Sequence, residues 1–364
     1  MKLQNKYKIA LVGYRLSGGG SDKVMVNLSL FLEKIGVEVY VITVLDEGSV
    51  MHGGNYFSTH QFKKSKGIFG RFTRLKGLYS FFKTHSFDFI IDFRFRTKSL
   101  QEFFINRIIY KAPIVYTIHS WAVNHYIPDN KKIAKAIYAG SYALVCVAKA
   151  IEIKLKDIYD FTQIHTIYNS FIHDEFSNYT ADNIENNSKT ILFVGQLENN
   201  TKQLHHLLEA FKLSGLQKEG VIIKICGSGI LENYYTKKTI ELGLEKYVEF
   251  LGFKQPPYQE MVNSKFLVLC SAYEGFPNVL IEALNCNLPV VSYDLKSGPS
   301  EIVKHQQNGL LVKNQDINAL ADSLTVFFRN NELYKYCRKN AKRSVENFEI
   351  NEIGKQWIKL LKLK

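Results

Sequence analysis

Short apolar runs alternate with amphipathic segments along this 364-residue chain. In the first half, these runs predict strands buried on both faces, as in a parallel sheet. The predicted strands are residues 8–14, 37–44, 88–93, 114–118, 141–147 and 164–168. A helix with an apolar face follows the first strand and ends at Gly36. This succession indicates a βαβ unit and therefore an α/β fold.

A second array of strands and helices follows a polar, Asn-rich segment at 177–189, which we predict to be a linker. Two successive arrays predict two Rossmann-like domains, covering residues 1–176 and 190–346. We expect the segment 347–364 to be a helix that crosses back to the first domain. The predicted strands of the second array are 190–194, 221–226, 248–251, 265–270 and 288–293, and its main helices are 204–213, 231–242, 317–329 and 333–345.

Composition adds a charge and a compartment to this picture. The chain has 47 basic and 34 acidic residues, a net charge of +13, which implies an anionic partner. Five scattered cysteines without metal-ligand spacing predict reduced, buried thiols. The N-terminus resembles no signal peptide, and no apolar run reaches the length of a membrane span. We therefore expect a cytoplasmic protein.

Residues 60–87 are rich in Lys, Arg and aromatic residues and contain no acid. From about Gly70 they predict a basic amphipathic helix, which suits an anionic membrane surface at the inner face of the membrane. The alternative is a helix that packs its aromatic face on the domain core and leaves its cations in solvent. Aromatics among cations also occur in single-strand binders, but no recognition module accompanies them, so we expect no nucleic acid.

Two carboxylates flank a predicted helix start at Pro277. Glu274 lies in the loop after a buried strand, and Glu282 lies on the helix, roughly 7–8 Å along the axis from Pro277. The unpaired N–H groups of a first helical turn bind anions or hydroxyls. The spacing therefore suits a long polar ligand held at two places. The alternative is a loop carboxylate and a solvent-facing helix residue.

The run Glu-Gly-Phe-Pro-Asn from Glu274, with Glu-Ala at Glu282 and Leu-Pro-Val-Val at 288–291, resembles the retaining glycosyltransferases of family 4. The resemblance implies a GT-B fold, two Rossmann-like domains facing each other across a cleft. It also implies that Glu274 contacts the donor sugar and that Glu282 holds the ribose of the nucleotide. The backbone of Gly275, Phe276, Pro277, Asn278 and Val279 is implied to contact the sugar and diphosphate.

Further matches to this family surround the first. Gly195-Gln196-Leu197 with Lys202 resembles Gly-Arg-Leu followed by Lys, whose cations neutralise the donor diphosphate. Gln196 replaces the Arg, which leaves Lys202 as the expected phosphate cation, with Arg15 or another basic residue compensating. Gly227 and the segment containing Phe253 match family positions beside the nucleotide. The alternative for Lys202 is a surface lysine in a loop.

The first half matches the family more thinly. Gly19 and Gly20 resemble its Gly-Gly-x-Glu loop, with Asp22 in place of Glu, although such a turn is often only structural. His119 follows a predicted strand and matches a family histidine beside the donor sugar. A lone histidine there is more often structural, and we assign no role to His125.

We therefore expect a retaining transferase that moves a sugar from a UDP- or GDP-sugar to a glycan or lipid-linked glycan in cell-surface polysaccharide synthesis. Glu274, His119 and Lys202 are the expected catalytic residues. No Asp-x-Asp motif occurs, so we expect neither a metal nor another cofactor. The alternatives are a nucleotide-sugar epimerase or a phosphorylase on the same architecture, or a non-catalytic nucleotide-sugar-binding relative.

Overall fold

A computed structural model of the chain describes residues 3–16, 19–45, 50–62, 68–176, 179 and 188–364. The chain forms two compact units, one made of residues 1–171 with 348–364 and the other of residues 172–347. Most of the predicted linker 177–189 lies outside the described residues, as do Lys63, Lys64 and Lys66 of the basic segment.

The first unit is built on a parallel sheet of seven strands in the order β3-β2-β1-β4-β5-β6-β7. The chain adds strands outward from β1 in one direction and then from β4 in the other, so the topological switch point lies between β1 and β4. The strands are β1 (Lys8–Gly13), β2 (Glu38–Thr43), β3 (Asn55–Ser58), β4 (Phe89–Asp92), β5 (Ile114–Ile118), β6 (Ala143–Cys146) and β7 (Ile164–Thr166).

Helices connect most of these strands, among them the two that the sequence predicts after the first strand and from about Gly70. In the first helix, Val24, Leu28, Phe31 and Leu32 are buried at helical spacing, and Gly36 follows with φ of 97°. The positive φ explains why the helix ends there. The helices are α1 (Gly20–Lys34), α2 (Ile68–Thr84), α3 (Ser99–Phe104), α4 (Lys131–Tyr138) and α5 (Lys149–Ile158).

The second unit repeats this plan with a six-stranded parallel sheet in the order β10-β9-β8-β11-β12-β13. Its switch point lies between β8 and β11, because strands are added outward from each of them. The strands are β8 (Thr190–Val194), β9 (Ile222–Cys226), β10 (Val248–Phe250), β11 (Phe266–Leu269), β12 (Val290–Asp294) and β13 (Gly309–Lys313).

The helices of the second unit lie between these strands and after the last one. The sequence predicted one helix over 333–345, but the chain tightens into a 3-10 turn at Lys342–Phe348. The helices are α6 (Leu204–Ser214), α7 (Glu232–Glu241), α8 (Tyr258–Val262), α9 (Asn278–Asn285), α10 (Pro299–Ile302), α11 (Ile317–Arg329) and α12 (Asn331–Ala341).

The last helix, α13 (Ile350–Leu361), packs in the first unit. Phe171 and Phe348 are joined by a backbone hydrogen bond, and Gly354 approaches the Phe31 ring so closely that a Cβ there would lie 2.2 Å from Cζ. The sequence set the end of the first domain at 176, but residues 172–176 belong to the second unit. Phe176 stacks there on Tyr258 with ring centroids 4.1 Å apart.

All five cysteines are buried and free of disulfides. In the part of the chain that the structure describes, no helix has the length and apolar character needed to cross a membrane.

Candidate active site

Lys202 and Glu274 meet at the switch point of the second unit. Lys202 follows β8 and Glu274 follows β11, and the carboxyl ends of these neighbouring parallel strands open at one edge of the sheet. Lys202 Nζ lies 2.6 Å from Glu274 Oε1, which also accepts a hydrogen bond of 2.6 Å from Ser271 Oγ. Glu274 Oε2 has no partner among the described residues, so one oxygen is saturated and the other is open to a ligand hydroxyl.

The loop that carries Lys202 is held in one conformation. Asn199 Oδ1 accepts from Thr201 N, and the 3-10 turn Asn200–Lys202 ends at Gln203, which has φ of 45°. Ala272 N donates to Thr201 O at 2.7 Å, and Cys270 Sγ–H donates to Gln203 O at 3.2 Å. These bonds tie the Lys202 loop to the Glu274 loop, so the ion pair is preorganised rather than formed by two mobile side chains.

One glycine of the site, Gly227, is required by close backbone approach. Gly227, after β9, packs so tightly on Gly195, after β8, that a Cβ at Gly227 would lie 1.9 Å from Gly195 O. Gly227 N also donates to Gly252 O at 2.8 Å, which joins this contact to the loop containing Phe253. Gly227 therefore has a structural role beside the predicted nucleotide position, a role that the resemblance did not specify.

The segment after Glu274 is locked against the loop that follows β12. Ser297 Oγ donates to Gly275 O at 2.7 Å, and Gly298, with φ of 96°, lies where a Cβ would meet Pro277 Cδ at 2.6 Å. Pro277 is the capping residue of α9 rather than its first helical residue, because the helix begins at Asn278. Glu282 lies on this helix and is half-buried.

The remaining predicted donor-site residues of this unit differ in exposure. Gln196 is exposed beside the Gly195 contact, and the Phe253 side chain is 60% exposed. Phe276 is buried, so only its backbone can meet a ligand at this surface. Val279 and Asn278 are half-buried in the first turn of α9.

The first unit brings its own predicted residues to the carboxyl edge of its sheet. Gly19 and Gly20 follow β1, and His119 follows β5; β4 lies between these strands. Gly19 is extended, with φ of −172°, and no described heavy atom lies within 4 Å of a Cβ built on it. Burial raises the pKa of the Tyr126 hydroxyl, and the Asp22 charge acts in the same direction. The Tyr126 ring lies 6.4 Å from that of His119.

The hydrogen bonds around His119 fix its tautomer. Thr117 Oγ1 donates to Asp92 O at 3.1 Å, so the contact of 2.8 Å between Thr117 Oγ1 and His119 Nε2 requires the proton on Nε2. Nδ1 then carries a lone pair, and this buried nitrogen has no partner among the described residues. Burial lowers the pKa of His119 to about 3, and the Arg96 charge acts in the same direction. His119 is thus a neutral hydrogen-bond acceptor.

A buried charge cluster, which the sequence analysis missed, supports this edge of the sheet. Arg94 forms a two-point contact with Asp92, at 3.0 Å from Nε to Oδ1 and 2.6 Å from Nη2 to Oδ2, and Nη2 reaches Glu102 at 2.9 Å. Arg96 donates to Thr117 O at 2.9 Å. The sequence feature that could have predicted this cluster is the alternation Asp-Phe-Arg-Phe-Arg at the end of a buried strand, because buried charged residues need partners.

No group of three or more His, Cys, Asp or Glu side chains within the described ranges is arranged to hold a metal ion. The expectation of a metal-free reaction stays a prediction.

Two sequence families match this chain. Residues 177–344 match the model of "Glycosyl transferases group 1", and residues 18–175 match that of "Glycosyltransferase Family 4". The chain is 31% identical over 195 residues to N-acetylgalactosamine-N,N'-diacetylbacillosaminyl-diphospho-undecaprenol 4-alpha-N-acetylgalactosaminyltransferase of Campylobacter jejuni, a match over 54% of this chain and 52% of that protein. It is 29% identical over 161 residues to poly(ribitol-phosphate) alpha-N-acetylglucosaminyltransferase of Staphylococcus aureus, over 44% and 33%. The chain thus spans about half or less of the length of these curated relatives.

Among solved structures, a complex of a mutant of S. aureus TarM with fondaparinux, alpha-GlcNAc-glycerol and UDP superposes with a TM-score of 0.80 at 16% identity, over 98% of this chain and 99% of that one. At this identity the match concerns the fold, and it confirms the predicted fold class of two Rossmann-like units. The two matches together cover residues 18–175 and 177–344, and the chain belongs to the glycosyltransferase family of the GT-B fold.

Proposed function

We propose that this chain is a retaining, metal-independent glycosyltransferase that moves a sugar from a nucleotide diphosphate sugar to a glycan or lipid-linked acceptor in cell-surface polysaccharide synthesis. The observation that carries the proposal is the Lys202–Glu274 ion pair at the switch point of the second unit. It joins a cation for the diphosphate to a carboxylate with one oxygen open toward a sugar. Helix α9 begins at Asn278, shortly after Glu274 in the chain.

In the proposed reaction, the bond from the anomeric carbon to the diphosphate oxygen breaks, and the nucleoside diphosphate leaves with the electron pair. Lys202 stabilises the negative charge that develops on the leaving group, where a fixed cation lowers the barrier most. The acceptor oxygen bonds to the anomeric carbon on the same face, and its proton passes to the departing phosphate. Retention follows from this shared face.

The remaining residues orient the donor. Glu274 Oε2 accepts from a sugar hydroxyl, and His119 Nδ1 accepts from another. The backbone from Gly275 to Val279 binds the sugar and diphosphate, and Glu282 holds the ribose hydroxyls. Gln196 adds one neutral hydrogen-bond donor where the family carries an arginine. Gly19, Gly20, Gly227 and the Phe253 segment border the bound donor.

The nucleotide is UDP or GDP in this proposal. TarM is described with bound UDP, which favours UDP as the first nucleotide to test. For the acceptor, the names of the two relatives are informative, since one acts on a diphospho-undecaprenol-linked sugar and the other on poly(ribitol-phosphate). Both acceptors carry phosphate. A phosphate-bearing glycan or lipid-linked glycan is therefore the acceptor class that we propose.

We further propose that the protein works as a cytoplasmic enzyme on the inner face of a membrane, with α2 as its contact. Leu78, Phe81 and Phe82 of this helix are buried, which agrees with the alternative of core packing. Phe69 and Phe72, however, are 78% and 67% exposed on the same helix. Exposed aromatics beside cations favour an anionic lipid surface.

The test of the donor site is binding of UDP, GDP and ADP to wild type and to Glu282→Ala, measured by isothermal titration calorimetry. One nucleotide should bind selectively, and the substitution should weaken it at least about tenfold, because two ribose hydrogen bonds to a charged group are lost. The control is Glu332→Ala, an exposed acid on α12 of the same unit. Absence of binding to any of the three nucleotides contradicts the proposed donor site.

The same protein separates the rival functions when it is given isotope-labelled UDP-sugar with and without a lipid-linked glycan. A transferase labels the acceptor and releases UDP. An epimerase alters the sugar without any acceptor, and a phosphorylase requires inorganic phosphate as the second reactant. Nucleotide binding without turnover in any of these mixtures supports a non-catalytic relative.

A further inference from the structure

The first unit has a cavity at its own switch point. It lies where β1, β2 and β4 end, between α2 and α3, and has a volume of about 320 Å³. This is at the lower end of the range for small-molecule sites, about 300–1,000 Å³. Its lining includes Tyr14, Arg71, Arg74, Arg94, Lys98 and Glu102. None of the predicted catalytic or donor-binding residues lines this cavity, whereas Arg71 and Arg74 belong to the basic segment 60–87.

The cavity wall has an excess of positive charge. Arg71 and Arg74 come from α2, and Lys98 precedes α3. Among the described residues, no carboxylate forms an ion pair with any of these three cations. Among the described residues, the one acid in the wall is Glu102, which is buried and already bound to Arg94 at 2.9 Å. A ligand that enters therefore meets cations that are not neutralised from within the described chain.

The floor of the cavity is a built polar surface. Arg94 is only 2% exposed and is fixed by its contacts with Asp92 and Glu102, which occupy Nε and Nη2. Nη1 has no hydrogen-bond partner among the described residues. Tyr14 is fixed as well, since its hydroxyl donates to Phe95 O at 3.0 Å. A fixed guanidinium with a free nitrogen matches the oxygens of a phosphate group.

Part of the remaining wall is apolar, with Leu75 and Leu78 from α2 and Ile105 after α3, while Thr59, Thr97 and Gln101 add uncharged polar groups. A ligand that satisfies both parts carries a phosphate next to an uncharged portion. Free phosphate would leave the apolar wall without a partner. The position also matters, because the carboxyl edge at a switch point is where open α/β sheets bind ligands.

We propose that this cavity binds the phosphate or diphosphate group of the acceptor, held by Arg71, Arg74, Lys98 and Nη1 of Arg94. That the ligand is the acceptor rests on the proposed function, whereas the binding of a phosphate group rests on the cavity alone. The phosphate belongs either to a polyprenyl lipid or to a phosphate-bearing glycan in solution. The cavity chemistry is the same for both.

The test uses the full chain and inorganic pyrophosphate as the probe, with three variants. Arg71→Gln/Arg74→Gln removes two cations from the cavity wall. Lys76→Gln/Lys83→Gln removes two exposed cations of the same helix that do not line the cavity, so the change in net charge is matched. Lys202→Met removes the cation of the donor site. A melting curve for each variant verifies folding, and Lys98→Gln replaces the arginine pair if that variant is unfolded.

We expect the Arg71/Arg74 pair to weaken pyrophosphate binding at least about tenfold, because two charged hydrogen-bond donors are lost. The Lys76/Lys83 pair should stay within about twofold of wild type. Lys202→Met should remove only the pyrophosphate that binds at the donor site and leave binding at the cavity. Equal weakening in both helix pairs would mean that only net charge matters and would overturn the proposal. Complete loss in Lys202→Met alone would assign the probe to the donor site and would also overturn it.

Two kinds of vesicle distinguish the source of the phosphate. Phosphatidylcholine vesicles containing decaprenyl phosphate are compared with vesicles of equal charge containing phosphatidylglycerol. Preference for the first, lost in the Arg71/Arg74 pair, supports a polyprenyl lipid. If the wild type binds both kinds of vesicle equally and still binds pyrophosphate, the result supports a soluble phosphate-bearing glycan. UDP binding is measured on the same samples. If the wild type does not bind UDP, the proposed function is contradicted but the cavity proposal is not. If the Arg71/Arg74 variant binds pyrophosphate as tightly as wild type, the cavity proposal is contradicted but the proposed function is not.

Discussion

The two switch points of this protein occupy the same place in two similar sheets but arrange charge in opposite ways. In the second unit, Lys202 and Glu274 neutralise each other at the surface, 2.6 Å apart. In the first unit, the acids Asp92 and Glu102 are buried with Arg94, while Arg71 and Arg74 line the cavity without an acidic partner among the described residues. A cation that is paired with a carboxylate can turn to a leaving group as that group gains negative charge during the reaction. Unpaired cations instead favour a group that is already charged before the reaction begins.

The glycines of the two regions also differ, in whether a contact within the protein requires them. Gly227 is required because its backbone touches Gly195, so its role is to hold two loops together. Gly19 has open space around it among the described residues and an extended backbone that any residue can adopt. If Gly19 is needed, the reason is a ligand. The fold thus rigidifies the second site from within, whereas Gly19 has room for a ligand beside it among the described residues.

Glu274→Gln should have the largest effect. The change removes the charge that holds Lys202 and the open acceptor oxygen, so we expect kcat to fall by about a thousandfold with labelled donor. The matched change is Glu249→Gln, at an exposed acid on β10, which should keep wild-type turnover. Turnover of Glu274→Gln within a factor of three of wild type would remove Glu274 from the catalytic residues.

Gly227→Ala should destabilise the second unit by about 3 kcal/mol or more, because the new methyl group overlaps Gly195 O and the backbone has to shift. Urea unfolding measures the free energy of unfolding of each variant. Gly19→Ala should leave that free energy within about 0.5 kcal/mol of wild type, yet weaken substrate binding. A Gly227→Ala protein as stable as wild type contradicts the tight contact.

His119→Gln should change how stability depends on pH. Burial lowers the folded-state pKa of His119 to about 3, below its ordinary value of 6.5, so the unfolded chain binds more protons in between. The contribution of neutral His119 to the free energy of unfolding is therefore complete above pH 6.5, and it is lost as the pH falls toward 3. We expect wild type to lose about 1–2 kcal/mol more than His119→Gln between about pH 7 and 5.

The measurement for His119 is urea unfolding at both pH values. His125→Gln, at an exposed histidine, is the control and should follow wild type. Parallel loss of stability in wild type and His119→Gln would contradict the neutral, buried imidazole. The same neutrality predicts that His119 adds no ionisation to the pH profile of kcat between about pH 5 and 8.

The smallest expected effect is that of EDTA. Turnover with labelled donor should stay within about twofold of the untreated enzyme, since Lys202 is proposed to supply the cation at the leaving group. Loss of turnover with EDTA and recovery on adding a divalent ion would contradict metal independence. Lys202→Met tested in parallel should lose activity with or without EDTA.

Local sequence determined most of the secondary structure. The strand at 114–118 and the helix at 317–329 have the predicted bounds, because continuous apolar runs and helical periodicity are properties of adjacent residues. The strand Asn55–Ser58 was missed, since it has only four residues, none of them buried, and is defined by pairing with β2 at the edge of the sheet. Its existence depends on a partner strand rather than on its own composition.

For the site, the sequence supplied the residues and the fold supplied their relations. Motif spacing selected Lys202 and Glu274, but they are 72 positions apart, so only the alignment of β8 beside β11 brings them together. Likewise, the sequence identified His119, but its tautomer follows from Thr117 and Asp92, and the cation-rich cavity joins three strand ends and two helices. Periodicity and motifs are local, whereas ion pairs, tautomers and cavities require contacts between segments far apart in the chain.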